Sequence, residues 1–244
     1  MDLEGKVALI TGASGGIGEA LALALAAEGV SLVMLARRAD QLARVAGRIP
    51  PDRTAIVVGD VTHAGDLQRA VALAVERFGG LDLLINNAGV SILGHLQSIP
   101  VALFEYGWRV NVIGPISGIQ AALPEIERRG GTIVNISSAM SLRPTKNLAV
   151  YSATKAALNV ISASLREELR DRGVRVLTVH PGFLANDFTR NTMAAPNMER
   201  DRQRLQAMPS SRTSADAAGD IVAALKADAE VSRSIPDMPL TSPL

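Results

Sequence analysis

The chain has 244 residues, no cysteine, three histidines, and 25 basic against 24 acidic side chains. Without cysteine there is no disulfide, thiolate nucleophile or Cys-ligated metal site, and His63, His95 and His180 are too far apart for an i, i+4 metal pair. A net charge of +1 with both signs interspersed is not the footprint of a nucleic-acid binder. The first apolar run, residues 7–11, reads as a strand. Thr11-Gly12-Ala13-Ser14-Gly15-Gly16-Ile17-Gly18 follows it and opens an Ala/Leu-rich helical pattern over 17–28 that stops at Gly29. Next come strand 31–35, helix 39–48 ending before Pro50-Pro51, strand 54–58 and helix 64–78 ending at Gly79-Gly80. Strand 81–85 is followed by a long helical pattern over 101–129, which contains Gly107, Gly114, Pro115 and Gly118. Strand 131–137, helix 151–172 ending at Gly173, and strand 174–180 complete the alternation.

These strand runs are apolar almost throughout rather than alternating, as suits strands covered on both faces of a parallel sheet. The pattern predicts an α/β protein: a single-domain Rossmann-type doubly wound parallel sheet with helices on both faces, one dinucleotide-binding and catalytic domain over 1–244. After Pro181 the character changes. Residues 183–212 are polar and methionine-containing and read as a substrate lid; a helix follows over 215–227, and a short strand near 231–235 lies in an atypical tail, 230–244. The longest apolar stretch, about 20–36, is broken by Glu28, Gly29 and Ser31, so no membrane span of roughly 20 apolar residues is expected. No signal peptide is visible, and the chain reads as a protein of the reducing cytoplasm.

The glycine-rich turn lies where a dinucleotide site needs it, between a strand and a helix. Gly12 permits the tight turn, Gly16 lets the backbone approach a pyrophosphate, and Gly18 lets helix and strand pack closely. The helix start offers free N–H groups and a positive dipole end. The bland alternative is a glycine turn without a ligand. The second strand ends Leu35-Ala36-Arg37-Arg38, with no acid before Asp40. Two guanidiniums suit a ribose 2′-phosphate, which favours NADP(H) over NAD(H); the alternative is a solvated arginine pair.

Over roughly residues 6–182 the chain resembles the short-chain dehydrogenase/reductase family. The resemblance rests on Thr11-Gly12-x-x-x-Gly16-x-Gly18, Asp60-Val61, Asn86-Asn87-Ala88-Gly89, Asn111, Ser138, Tyr151-x-x-x-Lys155 and Pro181-Gly182, in the family's order. It implies a catalytic set of Asn111, Ser138, Tyr151 and Lys155. It also implies a cofactor held by Gly12, Ser14, Gly16, Ile17, Gly18, Arg37, Arg38, Asp60, Val61, Asn87, Ala88, Gly89, Tyr151, Lys155, Pro181, Gly182, Leu184 and Asn186. In that scheme Tyr151 exchanges a proton with the substrate oxygen, Ser138 hydrogen-bonds the same oxygen, Lys155 holds the nicotinamide ribose, and Asn111 positions a water as part of a proton relay. Ser137 competes with Ser138, and the thirteen-residue spacing to Tyr151 favours Ser138.

The residues alone support part of this scheme. Tyr151 and Lys155 are four apart in a helical pattern and share a face. An ordinary tyrosine pKa of about 10 is too high for a base at neutral pH, and a nearby lysine cation is expected to lower it. Tyr106 lacks such a lysine and reads as packing or pocket wall. Substrate contacts are expected from Ser138, Met140, Arg143, Tyr151, Phe183 and His95, in a pocket lined by Ser91–His95, Ala139–Arg143, Val150 and the 183–212 lid; its apolar members Ile92, Leu93, Met140, Leu142, Phe183 and Phe188 suit a hydrophobic ketone or secondary alcohol. Arg143 is either a partner for an anionic group or solvated, and His95 is either pocket or plain surface.

Two places depart from the family pattern. Asn186 stands where many members have threonine, and the tail lacks the family's final glycine-containing strand. The reading is therefore an NADP(H)-dependent carbonyl reductase or alcohol dehydrogenase, without metal, forming a homodimer or homotetramer through the helices over 101–129 and 151–172. The rival is a catalytically silent NADP-binding sensor or scaffold protein on the same fold, which has no need of Tyr151 and Lys155 together.

Overall fold

The computed structural model describes residues 1–143, 145–184, 188, 192–208, 210 and 212–234, the last four as backbone. The expectations for Asn186 and for most of the tail lie outside the described residues. In chain order the first half comprises β1 (Val7–Thr11), α1 (Gly16–Ala27), β2 (Ser31–Ala36), α2 (Ala39–Ala46), β3 (Thr54–Val58), α3 (Ala64–Phe78), β4 (Leu83–Asn86), β5 (Ile92–Leu93) and α4 (Val101–Trp108). A π-helical turn over Arg109–Ile113 joins α4 to α5 (Gly114–Arg129). There follow β6 (Thr132–Ile136), α6 (Ala149–Leu169), β7 (Arg175–Pro181), β8 (Met193–Ala194), α7 (Glu199–Ala207), α8 (Ser214–Lys226) and β9 (Val231–Ser234).

Seven strands form one sheet in the order β3-β2-β1-β4-β6-β7-β9, and each neighbouring pair is parallel. The continuous apolarity of the strands has its reason here. In β1, Ala8 and Ile10 face a core built with Leu21 and Leu25 of α1 and Ile221 and Leu225 of α8. Val7 and Leu9 face the opposite core, with Leu67 of α3 and Ile119 and Ile126 of α5. Both faces are covered, as a doubly wound sheet requires.

Topology places the site. The chain steps outward from β1 to β3, then returns to lay β4 on the other side of β1. The strand order reverses between β1 and β4, and ligands of such sheets bind at that switch point, outside the carboxyl ends of the strands. The turn after β1 and the Asn87–Gly89 segment after β4 both emerge there.

Two features differ from the sequence expectation, and the tail agrees with it. The single helix over 101–129 is instead α4, a π turn and α5; within the π turn the Asn111 amide exchanges hydrogen bonds with both Val90 N (2.8 Å) and Val90 O (2.9 Å). The lid region contains α7 and also β8, which pairs with β5 through Ile92↔Met193 and Leu93↔Ala194. The expected terminal strand is present as β9, parallel to β7. Among the described residues, no helix is long and apolar enough to cross a membrane.

Candidate active site

A cleft of about 830 Å3 opens at the switch point, within the usual size range for small-molecule and cofactor sites. Its floor is the turn after β1. Gly12 adopts φ +69°, and a Cβ there would lie 2.8 Å from Ala88 Cα. Gly18 does not line the cleft; it lies beneath the turn, where a Cβ would fall 2.4 Å from Gly12 O and 2.5 Å from Asn87 Nδ2. Asn87 Nδ2 donates to Thr11 O at 2.8 Å, and Thr11 Oγ1 accepts from Asn87 N and Ala88 N at 3.0 Å each. The β1 turn and the β4 segment thus brace each other. Asn86 continues the bracing inward, donating to Asn135 Oδ1, which in turn shares its amide with Ser162 Oγ (2.9 Å each). Helix α1 starts at Gly16 without a side-chain cap, so its first N–H groups remain available beside the cleft. Ser14, Gly16, Ile17, Val61, Asn87, Ala88, Gly89, Pro181, Gly182 and Leu184 line the same cleft. This lining, with backbone donors and no side chain in the turn's cradle, fits a dinucleotide.

At the outer end the two arginines are not equivalent. Arg38 sets Nε and Nη2 on Ser14 Oγ, at 3.3 and 3.1 Å. Arg37 Nη1 donates to the Tyr106 hydroxyl at 2.6 Å and lies 3.6 Å from Asp60 Oδ2. Tyr106 is therefore a cleft residue, held by an arginine 69 positions away. That contact crosses from the end of β2 to α4, and no local sequence signal announces it.

One face of α6 supplies the reactive groups. Tyr151, Lys155, Asn159 and Ser162 recur at helical spacing and each meets β6 or the segment after it. Tyr151 bonds Ser138, and Lys155 Nζ donates to Ile136 O at 2.7 Å. Asn159 meets Ser137 and Ser141, and Ser162 meets Asn135. Sequence reasoning missed Asn159, although its place four residues after Lys155 was a usable signal. Ser137 turns away from the cleft centre, donating to Asn159 Oδ1 at 2.6 Å. Ser138 opens the 3-10 turn over Ala139–Ser141, its Oγ accepting from Met140 N at 3.1 Å.

The electrostatics differ from the expectation of a lysine-lowered phenol. Burial pushes Tyr151 up to about 12, opposed by the hydrogen bond to Ser138, and burial pushes the Lys155 ammonium down to about 8. Desolvation of the charged form is the largest cause at each group, and neither side chain contributes to the other's shift, contrary to the expectation from their spacing. Asn111 sits behind the cleft wall. Besides Val90 it bonds Thr154 Oγ1 at 3.0 Å, and its Oδ1 keeps one acceptor site. A Cβ on Gly89 would lie 3.2 Å from that Oδ1 and 3.5 Å from Lys155 Nζ, so the glycine leaves the space between them open.

Beyond Tyr151 the walls are mostly apolar, with Met140, Leu148, Phe183, Phe188, Met193 and Leu205 beside Thr145, Thr192 and Ser210. The Phe188 ring lies 5.8 Å from that of Tyr151. The structure does not bring His95 or Arg143 into this lining. His95 is exposed at the start of a 3-10 turn over Leu96–Ser98, just after Gly94, whose N bonds Asn147 O. Val150 is buried in the core instead.

A family model described as short chain dehydrogenase matches residues 6–197. An uncharacterized oxidoreductase of Staphylococcus aureus strain USA300 is 37% identical over 205 residues, covering 84% of this chain and 87% of that protein. A solved short-chain dehydrogenase from Burkholderia cenocepacia in complex with NADP aligns with a TM-score of 0.81 at 31% identity, over 95% of this chain and 96% of that one. A short chain dehydrogenase/reductase from Burkholderia phymatum in complex with NAD aligns with a TM-score of 0.91 at 24% identity, over 100% of this chain and 99% of that one, a likeness of fold.

Proposed function

The chain belongs to the short chain dehydrogenase family of oxidoreductases, and from that premise we propose that it is an NADP(H)-dependent carbonyl reductase or alcohol dehydrogenase acting on an apolar ketone or secondary alcohol. The observation that carries the reading is the convergence of Ser138, Tyr151 and Lys155 on one end of the dinucleotide-fitting cleft, beside an apolar wall.

The dinucleotide, when bound, supplies or accepts the hydride at the substrate carbon. The chain's own residues handle the proton. With its phenol pushed up to about 12, Tyr151 keeps its proton at neutral pH. That is the form that donates to a carbonyl oxygen as it gains charge in the reductive direction. Ser138 accepts from Met140 N, which leaves its own O–H to donate to the same oxygen. Lys155, held by Ile136 O, presents its ammonium beside Tyr151 and to a ribose. Asn111 offers its remaining Oδ1 acceptor site toward Lys155, where a relay returns a proton to the phenolate. The 2′-phosphate is assigned to the Ser14–Arg38 pair, with Arg37 as its neighbour, and residues 183–212 serve as the substrate lid.

The substrate class follows from charge. Among the described lining residues, the charged side chains are Arg37, Arg38, Asp60 and Lys155, all at the dinucleotide end or at the reacting centre. A substrate seated against Met140, Leu148, Phe183 and Leu205 buries apolar surface and meets no compensating charge there. For the assembly we propose a homodimer or homotetramer through the helices that expose Val101, Phe104 and Val160. The test is NADPH and NADH consumption by the purified chain over a panel of ketones of graded size and charge. Turnover with NADPH and bulky uncharged ketones is expected; no turnover of any ketone, or preference for carboxylated ones, contradicts the reading.

A further inference from the structure

We infer that Ser141, Asn159 and His180 act as one positioning unit for Ser138, holding its turn in register with Tyr151. The inference rests on the proposed role of Ser138 at the substrate oxygen. The Ser138 hydroxyl is committed to the cleft side, bonding Met140 N and Tyr151. Its carbonyl is committed to the other side, where Ser141 Oγ donates to it and His180 Nδ1 lies 3.4 Å away.

The hydrogen bonds of this cluster follow one another in a consistent direction, the shortest contact of the Ser137 hydroxyl being to Asn159 and longer ones to Ser141 Oγ and Lys155 O (3.2 Å each). Ser137 Oγ donates to Asn159 Oδ1 at 2.6 Å, which orients the amide so that Nδ2 donates to Ser141 Oγ at 2.8 Å. The single Ser141 hydroxyl proton goes to Ser138 O. His180 Nδ1 lies 3.4 Å from both Ser138 O and Ser141 Oγ, an arrangement that suits a proton on Nδ1. His180 is buried and directly precedes Pro181-Gly182 in the cleft wall.

Three elements are thereby tied at one carbonyl: the turn carrying Ser138, the face of α6 carrying Tyr151 and Lys155, and the end of β7. A donor acting on a developing oxyanion must hold its position within a few tenths of an ångström, and a site left loose by about 1 Å loses most of its rate. Helix α6 runs for 21 residues, whereas the 3-10 turn over Ala139–Ser141 is three residues long and leans on that helix. Asn159 transfers the helix's rigidity to that turn. None of the three residues belongs to the motifs that carry the family resemblance.

The test uses the full chain with a ketone it turns over, measuring kcat, KM and NADPH affinity. Ser138→Ala is the reference for the underlying role; Asn159→Leu and Ser141→Ala remove the linkage, and Ser141→Thr keeps the hydroxyl. Expected are at least tenfold losses of kcat in Asn159→Leu and Ser141→Ala, NADPH affinity within twofold of wild type, recovery in Ser141→Thr, and a double variant no worse than the weaker single. His180→Asn, which keeps an N–H near the same place, should retain more kcat than His180→Leu. If Ser138→Ala loses activity while Asn159→Leu and Ser141→Ala keep kcat within twofold, the inference is overturned and the proposed role of Ser138 stands. If Ser138→Ala itself keeps full kcat, the role of Ser138 fails and the inference with it. If Asn159→Leu does not fold, Ser141→Ala decides alone, and a loss of NADPH affinity parallel to kcat in it would mark a merely structural role and overturn the inference.

Discussion

At the residue scale, two arginines adjacent in sequence have different work. Arg38 closes its fork on Ser14 Oγ, and a phosphate entering there gains a guanidinium and a hydroxyl already aligned. Arg37 is shared between Tyr106 and the Asp60 carboxylate, so a phosphate must compete for it. Arg38→Leu is expected to raise the Kd for NADPH roughly ten- to a hundredfold, the size of a lost charge-assisted hydrogen bond, and to leave NADH unchanged. Titration of both dinucleotides checks this, and unchanged NADPH affinity would make Arg38 only a prop for Ser14. The arginine pair was legible in the sequence because no acid stands near it. Its division of labour was not, because that depends on partners brought in by the fold from Ser14, Asp60 and Tyr106. The direction of the Tyr151 shift was hidden for a related reason: spacing reveals a neighbouring lysine but not the desolvation that both side chains suffer.

At the element scale, the helix start after β1 depends on a missing side chain. A Cβ at Gly18 would collide with Gly12 O and Asn87 Nδ2, the groups that brace the β1 turn to the β4 segment. Gly18→Ala is expected to cost about 1–3 kcal/mol by overpacking and to lower the Tm by several degrees. It should also weaken NADPH, because the turn's N–H groups move with α1. Thermal melts with and without NADPH check both; an unchanged Tm would show that α1 can shift without cost. The parallel strands and the helices of the first half were legible because each is long enough to show a period or a continuous apolar run. Strands β5 and β8 have two residues each and show no period. Helix α7 has no fully buried residue, so it lacks an apolar stripe to read. The π turn escaped because it is fixed by the bonds of Asn111 to Val90, a contact between elements.

At the scale of the whole molecule, chemistry and stability occupy opposite ends of one sheet. The cleft lies beyond the carboxyl ends of the strands, whereas Asp82, just before β4, anchors the other end. It accepts from Val7 N at 2.9 Å, Arg129 Nη2 at 3.1 Å and Lys6 Nζ at 3.4 Å. Burial alone would raise this carboxyl; the Arg129 and Val7 hydrogen bonds, with Lys6 nearby, hold it below the ordinary carboxylate value. Because the folded-state pKa is the lower one, its stabilisation is present above the unfolded value of about 3.9 and is lost as pH falls through the folded value. Asp82→Ala is expected to lose about 1–3 kcal/mol at pH 7 by leaving Val7 N and Arg129 Nη2 without their carboxylate acceptor, with kcat per folded molecule unchanged. Urea unfolding at pH 7 and again in acid checks this, and the gap between variant and wild type should narrow in acid. The order of motifs made the fold and the cleft legible, since a parallel doubly wound sheet has its switch point beside the first strand. The apolar character of the substrate wall was legible only in outline, because it draws on Leu148, Met193 and Leu205 from separate segments. Everything proposed for the molecule converges on one hydroxyl, and the most direct measurement is Tyr151→Phe assayed side by side for NADPH binding and ketone reduction. Binding within twofold of wild type with turnover reduced at least a thousandfold is expected; substantial residual turnover would contradict Tyr151 as the proton donor.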